Sequence, residues 1–530
     1  MVKHVGQRPL SWLHITAAVL VSSVLAVPAL SQTVPLTLGA IPPEDMVPLA
    51  KGGLEKALAD LPAAVESVLK RSGVPGAAVV VVQGGKTVFA RGFGVRELGK
   101  DAPVDTSTVF QIASMSKPIA ATIAAIEVTA GKVSWDDPIE KHLPGFAVGD
   151  AYVTAHGTVG DYYSHRSGLP HAAGDTLEDI GFDRKTILER LRMLPLVAFR
   201  TSFNYSNFGF TTGAEAVAAA AGKTWHELAQ QALYGPLGMT ATSSRYADFL
   251  TRDNRATLHT LQDGHFVAGF TRDPDQQSPA GGVTSNVVDL AEWLKLLLAD
   301  GERDGKTLIS PAAMLPALRP QAFSSPARTI ASRSGFYGFG FNVAVNANGR
   351  PDMSHSGAFV TGAATNVHIL PSADLGIIVL TNAGPVGAPE AITGHFLDLL
   401  QFGEVTRDWY ALMHPLLMQN YDPVGDLVGQ TAPISPRPAR PLAEYVGTYD
   451  SAYFGPATIS QGESGLVLTL GPGAIKMPMT HWDGDTFSIA PRSENAPYGS
   501  LSSVQFKGQG KPETVRIDYL DDAGLAIWTR

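Results

Sequence analysis

The chain has 530 residues, a formal net charge of -9, 45% hydrophobic and 17% charged residues, and no cysteine. Its length favours two or three folded units, and its composition excludes the disordered, collagenous and coiled-coil classes. The acidic balance, without a long lysine or arginine block, argues against a nucleic-acid partner. The absence of cysteine excludes disulfides, cysteine-ligated zinc and a thiol nucleophile. We therefore expect any nucleophile to be Ser, Thr, Lys or a carboxylate.

The N-terminus has the pattern of an export signal. Basic residues precede an apolar run at about residues 10–30, and the small residues Ala29 and Ser31 suit a signal peptidase. The alternative is an uncleaved membrane anchor, because the run approaches the roughly 20 residues that span a bilayer. Pro28 inside the run favours cleavage. We predict a signal peptide at residues 1–31 and a periplasmic or secreted mature protein with no membrane span.

The periodicity of apolar residues predicts the elements that follow. Helical spacing over residues 53–71 predicts a helix, and two strand-like runs around Gly84 and Gly85 predict a β-hairpin after it. Helical signals then dominate from about residue 114 to 298, and strands return between residues 338 and 381. This order predicts an α/β (α+β) fold in which helices flank one antiparallel sheet and an all-α lobe is inserted into it.

A second folded unit is predicted at the C-terminus. Residues 430–441 contain four prolines and few apolar residues, which is the composition of a stiff linker. Short β-runs at turn-like spacing follow, and they predict a small all-β barrel or sandwich. We place a main domain at residues 45–402, a helical and proline-rich linker at 403–440, and an all-β accessory domain at 441–530.

The segment from Ser114 to Pro118 carries the strongest chemical signal. Ser114 and Lys117 are three residues apart at the start of an apolar helix pattern, so both side chains lie on one helix face within hydrogen-bond reach. Pro118 is tolerated in a first turn, which predicts a helix start near Ser114. A partly desolvated lysine loses its proton near neutral pH and can then activate a serine hydroxyl. Backbone N–H groups at a helix start also favour a developing oxyanion.

The same Ser-x-x-Lys spacing occurs at Ser67 and Lys70, in the middle of the first amphipathic helix. We interpret that second pair as part of a solvated helix face. The pair at Ser114 is distinguished by two further patterns, the one Tyr-x-Asn of the chain and a His-Ser-Gly triplet where the strands return. These patterns lie at Tyr205 to Asn207 and at His355 to Gly357.

Taken in order over roughly residues 60–400, these motifs resemble those of the serine beta-lactamase-like, or penicillin-recognising, hydrolases. That family includes beta-lactamases, D-alanyl peptidases, D-amino-acid amidases and carboxylesterases. The segment after residue 441 resembles the small β-barrel domain often fused behind such hydrolases. Further matching segments lie at Trp135 to Pro138, Ser164 to Pro170, Gly235 to Met239, Pro279 to Gly282 and Leu380 to Asn382.

The resemblance implies three catalytic residues. Ser114 is the expected nucleophile, which becomes acylated, and Lys117 is its expected base. Tyr205 is expected to carry the proton to the leaving group and later to activate water. No metal and no cofactor are implied.

The resemblance also implies four substrate-binding residues. Asn207 is expected to hold a substrate carbonyl, Gly357 to allow close approach of the strand, and the Ala358 N–H to be the second oxyanion donor. His355 stands where many relatives have the Lys of a Lys-Thr-Gly triplet. Because a histidine with an ordinary pKa is mostly neutral at pH 7, the site is expected to lack a fixed cation for a substrate carboxylate.

We therefore predict a serine hydrolase that forms an acyl-enzyme with an ester or amide, either a small molecule or a short peptide. The alternatives are a beta-lactamase or D-alanyl-D-alanine carboxypeptidase, and, in another class, a non-catalytic binding or sensor protein. An α/β-hydrolase is excluded because the chain has no Gly-x-Ser-x-Gly. A zinc peptidase is excluded because His226 and Glu227 are not followed by the second histidine of that motif. The oligomeric state is left open.

Overall fold

The structure, a computed structural model, describes residues 47–463 and 465–530. The predicted export segment, residues 1–31, lies outside the described residues, as do residues 45 and 46 of the predicted main domain. Within the described part of the chain, no helix is both long and apolar enough to cross a membrane.

Strands before the linker belong to one large sheet and three small pairs. They are β1 (Gly76–Gln83), β2 (Lys86–Gly94), β3 (Phe110–Gln111), β4 (His259–Gln262), β5 (His265–Ala268), β6 (Thr284–Ser285), β7 (Glu302–Arg303), β8 (Lys306–Thr307), β9 (Ala322–Ser325), β10 (Gly335–Tyr337), β11 (Asn342–Val345), β12 (Pro351–Phe359), β13 (Ala363–Leu370) and β14 (Leu375–Thr381). The large sheet has the order β2-β1-β14-β13-β12-β11-β10-β9 and is antiparallel throughout. The small pairs are β3 with β6, β4 with β5, and β7 with β8.

The helices cover the sheet or form the inserted lobe. They are α1 (Gly53–Ser72), α2 (Ser116–Thr129), α3 (Ile139–His142), α4 (Ala151–His156), α5 (Val159–Tyr163), α6 (Asp175–Asp179), α7 (Arg184–Arg190), α8 (Asn207–Ala220), α9 (Trp225–Ala229), α10 (Gly235–Leu237), α11 (Tyr246–Leu250), α12 (Ser278–Gly281), α13 (Val287–Leu298), α14 (Pro311–Met314), α15 (Ala388–Phe402) and α16 (Trp409–Leu417). Helices α2 to α13 lie between the opening strands and the returning strands. The predicted antiparallel sheet with a helical insertion is therefore confirmed. The β4–β5 hairpin inside that insertion was not predicted, because four-residue strands carry too little periodicity.

Strand β1 shows why the sheet sits at the centre of the main domain. Its apolar residues are fully buried, as expected for a strand covered on both faces. Val80 faces the large core that includes residues of α2 and α13, whereas Val79 faces a second core made with α1 and α15. The chain thus builds two layers of helices around one sheet.

The C-terminal unit is a closed eight-stranded barrel, which confirms the barrel prediction over the sandwich. Its strands pair in sequence order, and the Asp450–Thr529 pairing between the first strand and the last closes it. Tyr445, Phe487 and Trp528 fill its interior. The strands are β15 (Gly447–Ser451), β16 (Gly455–Gly462), β17 (Gly465–Leu470), β18 (Ile475–Asp483), β19 (Thr486–Ile489), β20 (Ser502–Lys507), β21 (Thr514–Ile517) and β22 (Ile527–Thr529).

The barrel packs closely against the main domain beside α6. A Cβ added to Gly181, whose φ is +93°, would lie 2.5 Å from the backbone nitrogen of Gly473 in a barrel turn. On the same side, the Asp179 carboxylate accepts hydrogen bonds from Ser493 Oγ at 2.6 Å and Asn495 Nδ2 at 2.9 Å. The barrel therefore holds the short helix that, at its other end, reaches the candidate active site.

Candidate active site

Ser114 lies in a tight turn directly before α2. A single 3₁₀ turn spans Ala113–Met115, and Ala113 has a φ of 47°, a left-handed conformation that an alanine rarely adopts. The Ser116 hydroxyl holds this turn, because it donates to Ala113 O at 2.6 Å and accepts from Val283 N at 3.0 Å. The expected helix start near Ser114 is confirmed, with Pro118 in the first turn of α2.

Lys117 is fully buried, and its Nζ contacts three oxygen atoms. These are Ser114 Oγ at 3.1 Å, Asn207 Oδ1 at 2.8 Å and Ala280 O at 2.9 Å. Burial lowers the pKa of Lys117 to about 7, against an opposing effect of the Asp175 charge. The amide and carbonyl oxygens can only accept hydrogen bonds. A neutral Lys117 amine therefore gives its two N–H groups to them and directs its lone pair at Ser114.

Tyr205 lies next to both Ser114 and Lys117. Lys117 Nζ lies 4.5 Å from the centre of the Tyr205 ring. Burial raises the pKa of the Tyr205 phenol well above its usual value, although the hydrogen bond to Ser114 acts in the opposite direction. At neutral pH, Tyr205 is thus a protonated hydroxyl next to the nucleophile.

His165 supports Tyr205 from behind. It has a left-handed φ of 56°, and its Nδ1 accepts a hydrogen bond from Ser206 N at 3.2 Å. Its ring lies 4.3 Å from the Tyr205 ring, centre to centre. Burial lowers the pKa of His165 well below its usual value, so the ring is neutral. His165 is thus a structural histidine that makes a loop hydrogen bond.

The end of β12 forms the opposite wall of the site. Strand β11 pairs with β12 only as far as Ser354, so the segment from His355 to Phe359 has an open edge. A Cβ on Gly357 would lie 2.2 Å from Ile112 O, so glycine lets this strand approach the turn that carries Ser114. Ala358 follows on the same open edge.

His355 is buried and neutral. Its Nδ1 donates to Ser356 O at 2.6 Å, and its Nε2 accepts from the Tyr337 hydroxyl at 2.9 Å. Burial lowers the pKa of His355 to about 3, and the Lys117 charge acts in the same direction. Tyr337 is a neighbour that the sequence analysis missed, because a single tyrosine in a three-residue strand carries no pattern of its own.

Arg200 and Arg333, which could each supply a cation if they turned toward the site, are engaged elsewhere. Arg200 donates to the buried Asp161 carboxylate at 2.8 Å, and Arg333 donates to Val345 O at 2.9 Å on the protein surface. Neither arginine replaces the missing lysine of the His-Ser-Gly triplet.

Asp175 is a second residue that the sequence analysis missed. It is the first residue of α6, and its Oδ2 accepts a hydrogen bond from Asn207 Nδ2 at 3.1 Å. Burial and the nearby Glu178 and Asp179 raise its pKa to about 7. No sequence pattern marks it, because its contact with Asn207 arises only in the folded chain.

A cavity of about 550 Å³ adjoins Asp175, between the main domain and the barrel. Tyr453 and Tyr519 of the barrel line it together with His171 of the lobe. Its volume would hold a small molecule beside Asp175, but none of the seven candidate residues is among the residues that line it. Among the residues that the structure describes, no three His, Asp or Glu side chains are grouped as a metal site would require.

All seven candidate residues from the sequence therefore lie around one point. Ser114, Lys117 and Asn207 are in direct contact, Tyr205 packs on Lys117, and the β12 edge with the remaining three candidates faces them. The Tyr205 and His355 rings, from opposite walls, are 6.5 Å apart between centres.

Comparisons with known proteins agree with the fold. Residues 61–400 match the Beta-lactamase family, and residues 431–525 match a domain of unknown function (DUF3471). A solved structure of the octameric penicillin-binding protein homologue from Pyrococcus abyssi superposes with a TM-score of 0.56 and 19% identity, and the match covers 87% of this chain and 98% of that one. That likeness concerns the fold.

Several curated relatives share most of their length with this chain. The Unguisins hydrolase ungD' of Aspergillus campestris is 27% identical over 75% of this chain and 76% of its own. Penicillin-binding protein 4 of Amycolatopsis lactamdurans is 27% identical over 71% and 93%. The D-alanyl-D-alanine-carboxypeptidase/endopeptidase AmpH of Escherichia coli is 24% identical over 59% and 81%.

The fold and these matches define the class of the protein, a serine hydrolase. The chain belongs to the Beta-lactamase family, whose match covers well over half of its length.

Proposed function

We propose that this protein is an exported hydrolase that cleaves an ester or amide through an acyl-enzyme formed on Ser114. The observation that carries this proposal is the contact set of Lys117. A buried amine with a pKa of about 7, whose N–H groups are taken up by Asn207 and Ala280, supports a base aimed at the Ser114 hydroxyl.

In the first half of the reaction, Lys117 takes the hydroxyl proton while Ser114 Oγ attacks the substrate carbonyl carbon. The negative oxygen of the tetrahedral intermediate is held by the backbone N–H groups of Ser114 and Ala358. The intermediate collapses when the bond to the leaving group breaks and Tyr205 gives that group a proton. The proton on Lys117 then restores the Tyr205 hydroxyl, so the acyl-enzyme forms with Lys117 neutral again.

In the second half, water replaces the leaving group. Tyr205 accepts a proton from the water as it attacks the acyl carbon and passes its own proton to Lys117, and this proton is returned to Ser114 Oγ when the acyl bond breaks. The product is a carboxylic acid, and the enzyme returns to its starting state.

The expected substrate lacks an obligatory carboxylate. A neutral His355 offers no cation to such a group, whereas a lysine at this position would remain charged at pH 7. Esters need no anion anchor, and their leaving groups need less help from Tyr205 than an amine does. We propose ester hydrolysis as the favoured activity.

The second candidate function is D-alanyl-D-alanine carboxypeptidase or beta-lactamase activity. It is favoured by the names of two relatives, the penicillin-binding protein 4 of Amycolatopsis lactamdurans and the Escherichia coli carboxypeptidase/endopeptidase. A non-catalytic sensor is the remaining possibility. The presence of Ser114, Lys117 and Tyr205 around one point argues against it.

Two assays test these functions. A fluorophosphonate probe is expected to label the wild-type protein and not the Ser114→Ala variant, and absence of wild-type labelling would favour the sensor. A panel of short-chain p-nitrophenyl esters, D-amino-acid amides, D-alanyl dipeptides and a chromogenic cephalosporin, with Ser114→Ala as the blank, then ranks substrates by kcat/KM. Esters are expected to lead. A cephalosporin that is cleaved faster than every ester would replace the ester proposal by the second candidate.

A further inference from the structure

The Asn207 side chain lies between two ionisable groups. Its Oδ1 accepts from Lys117 Nζ at 2.8 Å, and its Nδ2 donates to Asp175 Oδ2 at 3.1 Å. The two ends of an amide are not equivalent, because the oxygen only accepts hydrogen bonds and the nitrogen only donates them. The amide therefore has one orientation that satisfies both neighbours.

That orientation decides where the lysine lone pair points. With Asn207 Oδ1 and Ala280 O both accepting from Nζ, the lone pair of a neutral Lys117 faces Ser114. If the amide turned by 180°, its nitrogen would donate to Nζ and draw the lone pair away from Ser114. A fixed acceptor on the far side of Asn207 prevents this turn.

Asp175 has the features of such an acceptor. Its relative exposure is 6%, and among the residues that the structure describes its Oδ1 has no hydrogen-bond partner, while its Oδ2 accepts from Asn207. Its backbone is held tightly, because a Cβ on the preceding Gly174 would lie 2.8 Å from the Ile187 side chain. A buried acid with a single partner is costly for stability, which indicates a function for that partner.

We propose that Asp175 is a positioning residue for catalysis, which acts through the Asn207 amide to direct the Lys117 lone pair at Ser114. This inference rests on the proposed function of Lys117 as the base. Asp175 itself touches neither the nucleophile nor the reacting atoms.

Asp175 also affects Lys117 through its charge. The negative carboxylate raises the pKa of Lys117, against the larger effect of burial. Its removal is therefore expected to lower the pKa of Lys117 further. The titratable and charged groups that face Lys117 or Asp175 are Glu178 and Asp179 on α6, Arg272, His165, His355, Tyr205 and Tyr453.

Two variants separate orientation from charge. In Asp175→Asn an amide oxygen can still accept from Asn207 while the negative charge is lost, so the rate of fluorophosphonate labelling above pH 8 is expected to stay near wild type, with its acidic limb moved to lower pH. In Asp175→Ala the acceptor is also lost, so labelling above pH 8 is expected to fall about 100-fold, as a misdirected base implies.

Asp183→Asn is the matched control, because Asp183 is an exposed carboxylate at the start of α7 that accepts from Thr186 N at 2.7 Å and not from Asn207. It is expected to keep the wild-type labelling rate and acidic limb. Thermal unfolding reports on the fold of each variant.

The outcomes are distinct. If folded Asp175→Asn and Asp175→Ala both label like wild type, or lose only thermal stability while the pH profile stays unchanged, Asp175 is a packing residue and the inference is overturned. If instead Lys117→Ala labels at the wild-type rate, the proposed function itself fails, whatever the Asp175 variants show.

Discussion

The Ser-x-x-Lys spacing occurs twice in the chain, once on a solvent-exposed helix face and once in a buried site. Ser67 and Lys70 lie on α1, where both side chains are exposed to solvent. Lys117 is fully buried, and Ser114 beside it is only partly accessible. The two pairs have equal spacing in the sequence, so the difference between them comes from what the rest of the chain places around them.

That difference is mainly one of solvation. Water stabilises the charged form of an exposed lysine. Burial removes that stabilisation from Lys117, so its neutral amine form is substantially populated near pH 7. Asn207 and Ala280 then fix the direction of the amine. A serine three residues before a lysine becomes a nucleophile only in such a setting.

The largest expected effect comes from replacing the Ser114 nucleophile by alanine. Ser114→Ala removes the atom that becomes acylated, so we expect kcat/KM for an ester to fall by at least about 10⁴-fold. Ser67→Ala is the matched control and is expected to change neither turnover nor probe labelling. Retention of most activity by Ser114→Ala would remove the basis for the contrast between the two pairs.

Alanine variants of Lys117 and Lys70 are expected to differ almost as much in their labelling rates. Lys117→Ala removes the base and should slow acylation about 10³-fold, measured as the rate of fluorophosphonate labelling. Lys70→Ala should label at the wild-type rate. Circular dichroism of both variants separates a loss of chemistry from a loss of fold, and equal labelling by the two folded variants would contradict the assignment of Lys117.

Tyr205→Phe keeps the ring that packs on Lys117 and removes only the hydroxyl. Ester turnover is expected to fall about 10²-fold because the leaving group loses its proton donor. Tyr152→Phe, at an exposed tyrosine, is the control. Near-normal turnover by the folded Tyr205→Phe protein would assign Tyr205 to packing.

The pH dependence of kcat/KM tests the solvation difference directly. Lys117 must be neutral to accept a proton, so activity is expected to rise as the pH increases through about 7, the pKa of that group. His355, with a pKa of about 3, stays neutral over this range, whereas Asp175, with a pKa of about 7, titrates together with Lys117 and contributes to the same limb. An acidic limb near pH 4 would instead indicate a carboxylate as the base.

The smallest expected effect comes from a contact between the barrel and the turn after β12. Glu494 accepts from Val360 N at 2.7 Å and from the Thr361 hydroxyl at 2.8 Å, at the turn after β12. Glu494→Ala is expected to lower the free energy of unfolding by about 1–2 kcal/mol, measured in urea, with a modest loss of labelling rate. Glu463→Ala, at an exposed barrel turn, is the control. Equal stability of the two variants would show that this contact contributes nothing.

The sequence was sufficient for the architecture because the patterns that define it are local. Each of these patterns involves residues close together in the sequence. They are the helical periodicity of α1, the apolar runs of β1 and β14, and the proline-rich segment. The barrel could not be told from a sandwich, because closure depends on the pairing of Asp450 with Thr529 across the whole unit.

The site was predictable only in part, for the same reason. Ser114, Lys117 and the Tyr-x-Asn and His-Ser-Gly patterns are short motifs that can be found in the letters. Tyr337 and Asp175 act through contacts that form between distant segments, and only the folded chain shows them. Such residues become visible when the folded chain is examined for buried polar groups.

The pairing of β1 with β14 has a consequence for how the protein is made. Ala77, near the start of the main domain, pairs with Thr381, near its end, so the centre of the large sheet is incomplete until almost the whole domain has left the ribosome. In the barrel, by contrast, each strand pairs with the next along the chain, and such short-range contacts form faster. The barrel, which is synthesised after the main domain, therefore has the topology of the faster folder.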